Sequence, residues 1–235
     1  MTYCMKLYKL NIVKYNDDVN SLARTMGTVA RREREKQATR ELILDAARQL
    51  FAREGYDAVT MRRIAEKIEY SPTAIYLHFA DKDALIHELC VADFLALAVA
   101  FQPIALVQDP IERIKQIGRA YIEFALGHPD HYRLMFMTPA RPMDEEKLAE
   151  GRKGDPAQDA YAFLRMAVVD GLAQGRFREA LNDPDLICQT LWAGVHGVAA
   201  LHIALCEDSW VSWRPTEQRT ALMLETLFSG LIRKD

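Results

Sequence analysis

Cysteine is scarce in this chain and scattered. Cys4, Cys90, Cys188 and Cys206 are spread over 235 residues with no C-x-x-C pair. That spacing excludes a disulfide framework and a zinc knuckle, and it suits a reducing cytosol. Long uncharged apolar runs are missing as well. None reaches 18 residues, so no membrane span is expected. The opening MTYCMKLYKLNIV has neither a sustained apolar stretch nor a small-residue cleavage site, which argues against a secretory leader. Phosphate loops, G-x-G-x-x-G fingerprints and G-x-S-x-G elbows are absent, so the expectation is a protein without a cofactor and not an enzyme. No two histidines stand four apart. His196 and His202 are six apart, on nearly opposite sides of a helix, and no metal is expected. β-alternation around a hairpin turn is missing too.

Charge is present but uneven. The formal net charge is −3. Residues 1–26 hold four Lys and Arg against two Asp and Glu, residues 27–85 eleven against ten, and residues 86–235 fifteen against twenty-one. The basic excess is local: Arg31, Arg32, Arg34, Lys36 and Arg40 lie within ten residues, opposed only by Glu33 and Glu35. A basic arm ahead of an acidic body points toward nucleic acid, and a solvated helix start reads the same way from charge alone. A DNA-packaging protein would need a basic body, which this chain lacks.

From about Thr39 the pattern is helical throughout. Ile43, Ala46, Ala47, Leu50 and Phe51 keep the spacing of one apolar face, and Gly55 supplies a stop. Thr60 is placed to cap TMRRIAEKI, Ser71 to cap a helix with Pro72 at its first position, and Asp81 to cap a long fourth helix. Asp109-Pro110, Asp155-Pro156 and Asp183-Pro184 each pair a capping Asp with a Pro. Glu112 and Gln158 stand where a capping box needs them. A last helix is predicted near Glu217–Ile232. Residues 1–30 share no period with the rest and read as a tail; residues 139–154, with Pro142 and Gly151, read as a mobile loop. The expected architecture is all-α: about nine helices, with a helix-turn-helix unit over residues 31–85 and a larger domain over 86–235.

The second and third helices, each predicted at eight or nine residues with a three-residue turn between them, have the dimensions of a helix-turn-helix. Such a unit lays its second helix in the major groove, N-terminal residues toward the base edges. Residues 39–85 resemble the DNA-binding domain of the tetracycline-repressor-like (TetR) family. The resemblance rests on ILDAARQLFAREGYDAVTMRRIAEKI, then SPTAIYLHF and DKDAL, with Tyr76, His78-Phe79 and Lys82 at the family spacing. Two positions depart from it. Ile68-Glu69-Tyr70 stands where family members commonly carry a glycine turn, and Thr73 where they often carry Gly. The resemblance implies a homodimer, a helical ligand-binding domain, and repression relieved by a small molecule, in the cytoplasm.

Physical roles follow from residue type. Ser71 and Thr73 can hydrogen-bond base edges, and Pro72 offers an apolar face to a thymine methyl, with Leu77 on the same short helix. Thr60, Tyr76, His78 and Lys82 suit phosphate; Arg62 suits phosphate or base; Arg31, Arg32, Arg34 and Lys36 suit nonspecific or minor-groove contact. The duller reading has Tyr76 and His78 covering the top of the small core; their helix face favours phosphate.

In the second half, Trp192 and His196 share a helix face, and LWAGVHGVAAL is similar to the Trp-His-Gly signature of one C-terminal subgroup of the family. Candidate pocket residues are Phe94, Tyr121, Phe124, Tyr132, Met135, Phe136, Tyr161, Leu164, Trp192 and His196, which suit a largely apolar ligand. The other reading has Trp192 and His196 as core, with Ala193, Gly194, Gly197 and Ala200 at a close-packed dimer seam. By analogy with the family, helices near 183–207 and 217–232 would pair with those of a second copy. The expected function is a DNA-binding regulator, most simply a dimeric repressor released from a palindromic double-stranded operator. The alternative is a helical small-molecule-binding protein or a metal- or His-dependent enzyme whose helix-turn-helix serves a non-DNA role.

Overall fold

The regular structure of the chain is helical: a computed structural model describes residues 2–137 and 152–233, with side chains from residue 30 onward. Among the described residues there are nine α-helices, and the nearest approach to a sheet is one isolated bridge between Phe177 and Ile232. They are α1 (Thr2–Ala58), α2 (Met61–Lys67), α3 (Pro72–Tyr76), α4 (Lys82–Phe101), α5 (Pro110–Gly127), α6 (Pro129–Phe136), α7 (Ala160–Ala173), α8 (Pro184–Leu205) and α9 (Thr216–Leu231); a 3-10 turn at Gln102–Leu106 follows α4. The backbone of residues 2–29 continues α1 upstream. The tail expected over residues 1–30 falls there, and those side chains lie outside the described residues. So does most of the loop expected over 139–154.

The caps are mostly those the sequence predicts. Thr60 accepts from the Arg63 amide, Ser71 from Ala74 and Asp81 from Ala84. Asp109 takes the amides of Ile111 and Glu112, and Asp183 those of Asp185 and Leu186. Each satisfies donors that a helix start leaves open, worth about 1 kcal/mol. Asp155 is a correction. Its carboxylate closes a separate turn on the Ala157 amide, and Asp159 caps α7 through the amides of Tyr161 and Ala162. The two capping boxes do not close either. Glu112 turns to Gln116 and Arg119, and Gln158 turns its amide to Asp155, because each finds a partner one turn away. α2 and α3 are also shorter than predicted, seven and five residues. The chain leaves α3 early, with Phe79 N–H bonded to Ile75 O at 3.0 Å, which lets Phe79 fold under the helix.

Two apolar cores result. The first collects Ile43, Ala47, Phe51, Val59, Ile64, Ile75, Leu85 and Leu89, and borrows Leu134 from α6. The second collects Phe101, Ile114, Tyr132, Phe163, Val168, Ile187 and their neighbours. α4 belongs to both: the first core takes it as far as Cys90 and the second begins at Leu97. Between them sits Asp93, 1% exposed. Arg48 of α1 grips it, with Nη2 2.9 Å and Nε 3.2 Å from Oδ1. His131 of α6 places Nδ1 2.9 Å from the same oxygen, off the axis of a hydrogen bond. Arg40 of α1 adds a second clamp, pairing with Glu88 of α4 and donating to His78 O at 2.9 Å.

α4 with its 3-10 extension, and α8, are long and apolar enough to cross a membrane by length and composition. Each devotes one face to the cores. Gly194, a candidate for a seam between copies, is used inside the chain: a Cβ there would lie 2.6 Å from Leu227 Cδ1 and 2.8 Å from Met223 Sδ of α9.

The α2–α3 turn carries the strain expected of a turn without glycine. Glu69 has φ of 60°, the only left-handed non-glycine among the described residues. An L side chain there costs about 1 kcal/mol, and asparagine tolerates the region better. Glu69→Asn should therefore raise stability by about 1 kcal/mol in urea unfolding; no gain would show the turn to be unstrained.

Candidate DNA-binding surface and ligand cavity

α3 buries one side chain, Ile75, and leaves the rest outside. Ser71, Pro72 and Thr73 are exposed at its N-terminus, Tyr76 is 54% exposed and Leu77 76%. A helix of five residues that spends so little on its own core is held by its cap and by the elements around it. Thr60 and Arg62 are exposed on α2, with Arg62 Nε 2.8 Å from Glu66 Oε1. Such a solvated pair is worth 0–1 kcal/mol and is readily exchanged for another partner.

His78 and Lys82 are placed differently from the free phosphate contacts the sequence suggests. His78 is half-buried, its Nδ1 without a hydrogen-bond partner, and burial followed by the charges of Arg40 and Lys36 holds its pKa below the ordinary value. Lys82 lays its ammonium on Tyr56 O and Val59 O, both at 2.9 Å, and over the Tyr56 ring at 3.9 Å. It thereby satisfies carbonyls that the end of α1 leaves open and ties α4 to α1. Arg31, Arg32, Arg34 and Lys36 are exposed on α1 itself, with Arg31 Nε 3.4 Å from Glu35. The basic arm is thus a helical stalk.

The second core encloses a cavity of about 490 Å³, walled by α4, α5, α7 and α8 with Phe136 of α6 and Leu224 of α9. Six of the ten predicted lining residues reach it: Phe94, Tyr121, Phe136, Tyr161, Leu164 and Trp192. The other four do not. Phe124 stacks toward His128 and His131, Met135 packs on the core, and Tyr132 and His196 lie behind the wall. Sequence reading missed the aliphatic lining, although Ile114, Ile117, Gly118 and Tyr121 have the spacing of one α5 face. It also missed Arg152, Lys153, Gln158 and Asp159, which enter from the turn before α7.

Behind the wall lies a closed polar network. Tyr132 hydroxyl is 2.7 Å from His196 Nδ1 and Tyr121 hydroxyl 3.1 Å from it. Trp192 Nε1 donates to the Tyr121 hydroxyl at 3.2 Å. Nδ1 of the neutral ring accepts from one of these hydroxyls or donates to one, according to the tautomer. Burial lowers the pKa of His196 and raises those of Tyr121 and Tyr132, so all three are neutral near pH 7. The network joins α5, α6 and α8 around the cavity.

Known proteins resemble this chain in sequence and in fold. Residues 43–89 match "Bacterial regulatory proteins, tetR family", and residues 114–205 match "Tetracyclin repressor-like, C-terminal domain". An HTH-type transcriptional repressor of Mycobacterium tuberculosis is 50% identical over 56 residues, 24% of this chain and 30% of that protein, so the match spans under a third of the relative. The HTH-type transcriptional regulator UidR of Escherichia coli is 34% identical over 146 residues, 62% of this chain and 68% of the relative. The crystal structure of a TetR family transcription regulator from Marinobacter aquaeolei superposes with a TM-score of 0.66, at 17% identity, over 86% of this chain and all of the other.

Two histidines with lowered pKa set a direction for stability against pH. Folded and unfolded states bind the same protons well above the ordinary histidine value of about 6.5; as pH falls through it the unfolded chain binds more, so stability falls toward the lower folded value. The urea midpoint should decline between about pH 7.5 and 5.5, and the decline should be smaller in His196→Gln. Equal slopes would show that His196 is not held neutral by burial.

Proposed function

We propose, for a chain that belongs to the tetR family of bacterial regulatory proteins, a dimeric repressor that a small, largely apolar molecule releases from a palindromic operator. As a member of that family the protein is a DNA-binding transcriptional regulator, and the site of its action is then the cytoplasm, where bacterial DNA lies. One observation carries the reading: α3 presents nearly all of its surface outward from a core that shares α4 with the wall of a 490 Å³ cavity.

α3 enters the major groove, with Ser71 and Thr73 on base edges and Pro72 and Leu77 against thymine methyls. Thr60, Arg62 and Tyr76 take phosphates, and the α1 stalk with Arg31, Arg32, Arg34 and Lys36 adds sequence-independent contact. His78 and Lys82 act from behind, fixing the α3–α4 junction on α1. Two copies meet through α8 and α9. Leu186, Leu201, Leu205 and Leu222 are exposed on these helices, and covering them is the reward of pairing; Leu191, Val195, Leu224 and Leu231 are already committed to the chain's own core.

Coupling runs through α6. Tyr132 faces the His196 network, while its neighbours on the same helix, His131 and Leu134, reach Asp93 and the first core. A ligand that binds better when α6 is shifted lowers the population of the arrangement that fits two successive major grooves.

Selection of bound DNA from a random pool should recover a near-palindrome. Arg31→Ala with Arg32→Ala should weaken every sequence and lower the salt slope by up to about 2. Thr73→Ala should instead relax preference at one base pair, by about 1 kcal/mol or more. A pool without a palindrome, or affinity indifferent to salt, would overturn the reading.

A further inference from the structure

We propose that the molecule taken by the cavity is an amphiphilic anion, an apolar body with one carboxylate-like head, and that Arg152 and Lys153 receive the head. The proposal rests on the reading of the cavity as the effector site and adds its charge.

α4, α5 and α8 line the cavity with aliphatic and aromatic groups, and among the described residues its charged lining comes from one short stretch, residues 152–159. Within that stretch the acidic and amide groups are already used. Asp159 caps α7 with Oδ1 and accepts the Gly154 amide on Oδ2 at 2.9 Å. Gln158 donates to Asp155 Oδ2 at 2.8 Å. Arg152 and Lys153 make no ion pair with another described residue, and both border the cavity. The stretch is anchored: Gln102, just past α4, donates to Pro156 O at 3.0 Å and to Ala98 O at 3.1 Å, which holds the turn against the α4 wall.

The opposite polar groups do not compete for a ligand head. Trp192 Nε1 is donated to Tyr121, and the Tyr121 and Tyr132 hydroxyls converge on His196, so this wall is satisfied without a guest. A neutral apolar guest would gain nothing from the two cations at the mouth, which water hydrates, and a cationic guest would be repelled by them. An anionic head gains charge-assisted hydrogen bonds, bidentate from the guanidinium, while its body covers the apolar lining.

Titration of the full-length protein with decanoate, decanol and decyltrimethylammonium, each below its aggregation concentration, tests this by calorimetry and by the emission of Trp192 at the wall. Decanoate should bind at least about tenfold more tightly than decanol, the gain expected of hydrogen bonds to a charged group, and the ammonium compound should bind most weakly. Arg152→Gln with Lys153→Gln should bring decanoate to the level of decanol and leave decanol unchanged. If decanol matches decanoate, or the double variant binds decanoate as before, the anionic head is wrong and the apolar cavity reading stands. If none of the three binds, the cavity reading falls and the proposal with it.

Discussion

A single buried carboxylate organises this molecule. Asp93 lies midway along α4, between the residues that close one apolar core and those that open the next. An unpaired charge at that depth would cost several kcal/mol, so its presence requires partners. Arg48 supplies one from α1, and His131 stands against it from α6. Three helices from two cores are therefore held to one point. An apolar residue at position 93 would pack without specifying which way α1 faces; a carboxylate gripped on two nitrogens of one guanidinium fixes both distance and direction.

That fixed point gives α6 its importance. It is only eight residues long, yet Leu134 enters the first core, His131 reaches Asp93, and Tyr132 reaches His196 behind the cavity wall. Whatever displaces Tyr132 acts on the ground beneath the reading head. The surrounding groups suit a switch. The network is neutral and hydrogen-bonded throughout, so it can rearrange without exposing a charge. α3 itself adds little rigidity; its five residues depend on Ser71, Ile75 and the clamps that Arg40 and Lys82 make to α1 and α4.

Local chemistry was legible in the sequence. Thr60, Ser71, Asp81, Asp109 and Asp183 cap where their spacing says they should, because a cap depends on four consecutive residues. Glu69, in a turn without glycine, takes the left-handed conformation. Asp155 misled because Asp159 offers the same chemistry four residues later, and the helix starts at the second. Roles set by distant partners were not legible. Lys82 and His78 read as phosphate-facing, but the end of α1 takes the Lys82 ammonium and Arg40 of α1 holds the His78 carbonyl. Phe136 and Trp192 were readable as aromatic lining, whereas the placement of Tyr132 and His196 behind the wall depends on the crossing of α5, α6 and α8. Arg152 and Lys153 could not be assigned, since a turn has no periodicity to show what it faces.

The central claim is that the two cores act as one mechanical unit through Asp93. Amide exchange along α5 and α7 reports the second core, and amide exchange along α1 to α3 reports the first. The direct measurement is urea unfolding followed by both signals in the wild type and in Asp93→Asn. The account predicts coincident transitions in the wild type and, in the variant, a loss of about 3 kcal/mol with α1 to α3 unfolding first. Separate transitions in the wild type, or coincident and unshifted ones in the variant, would contradict it.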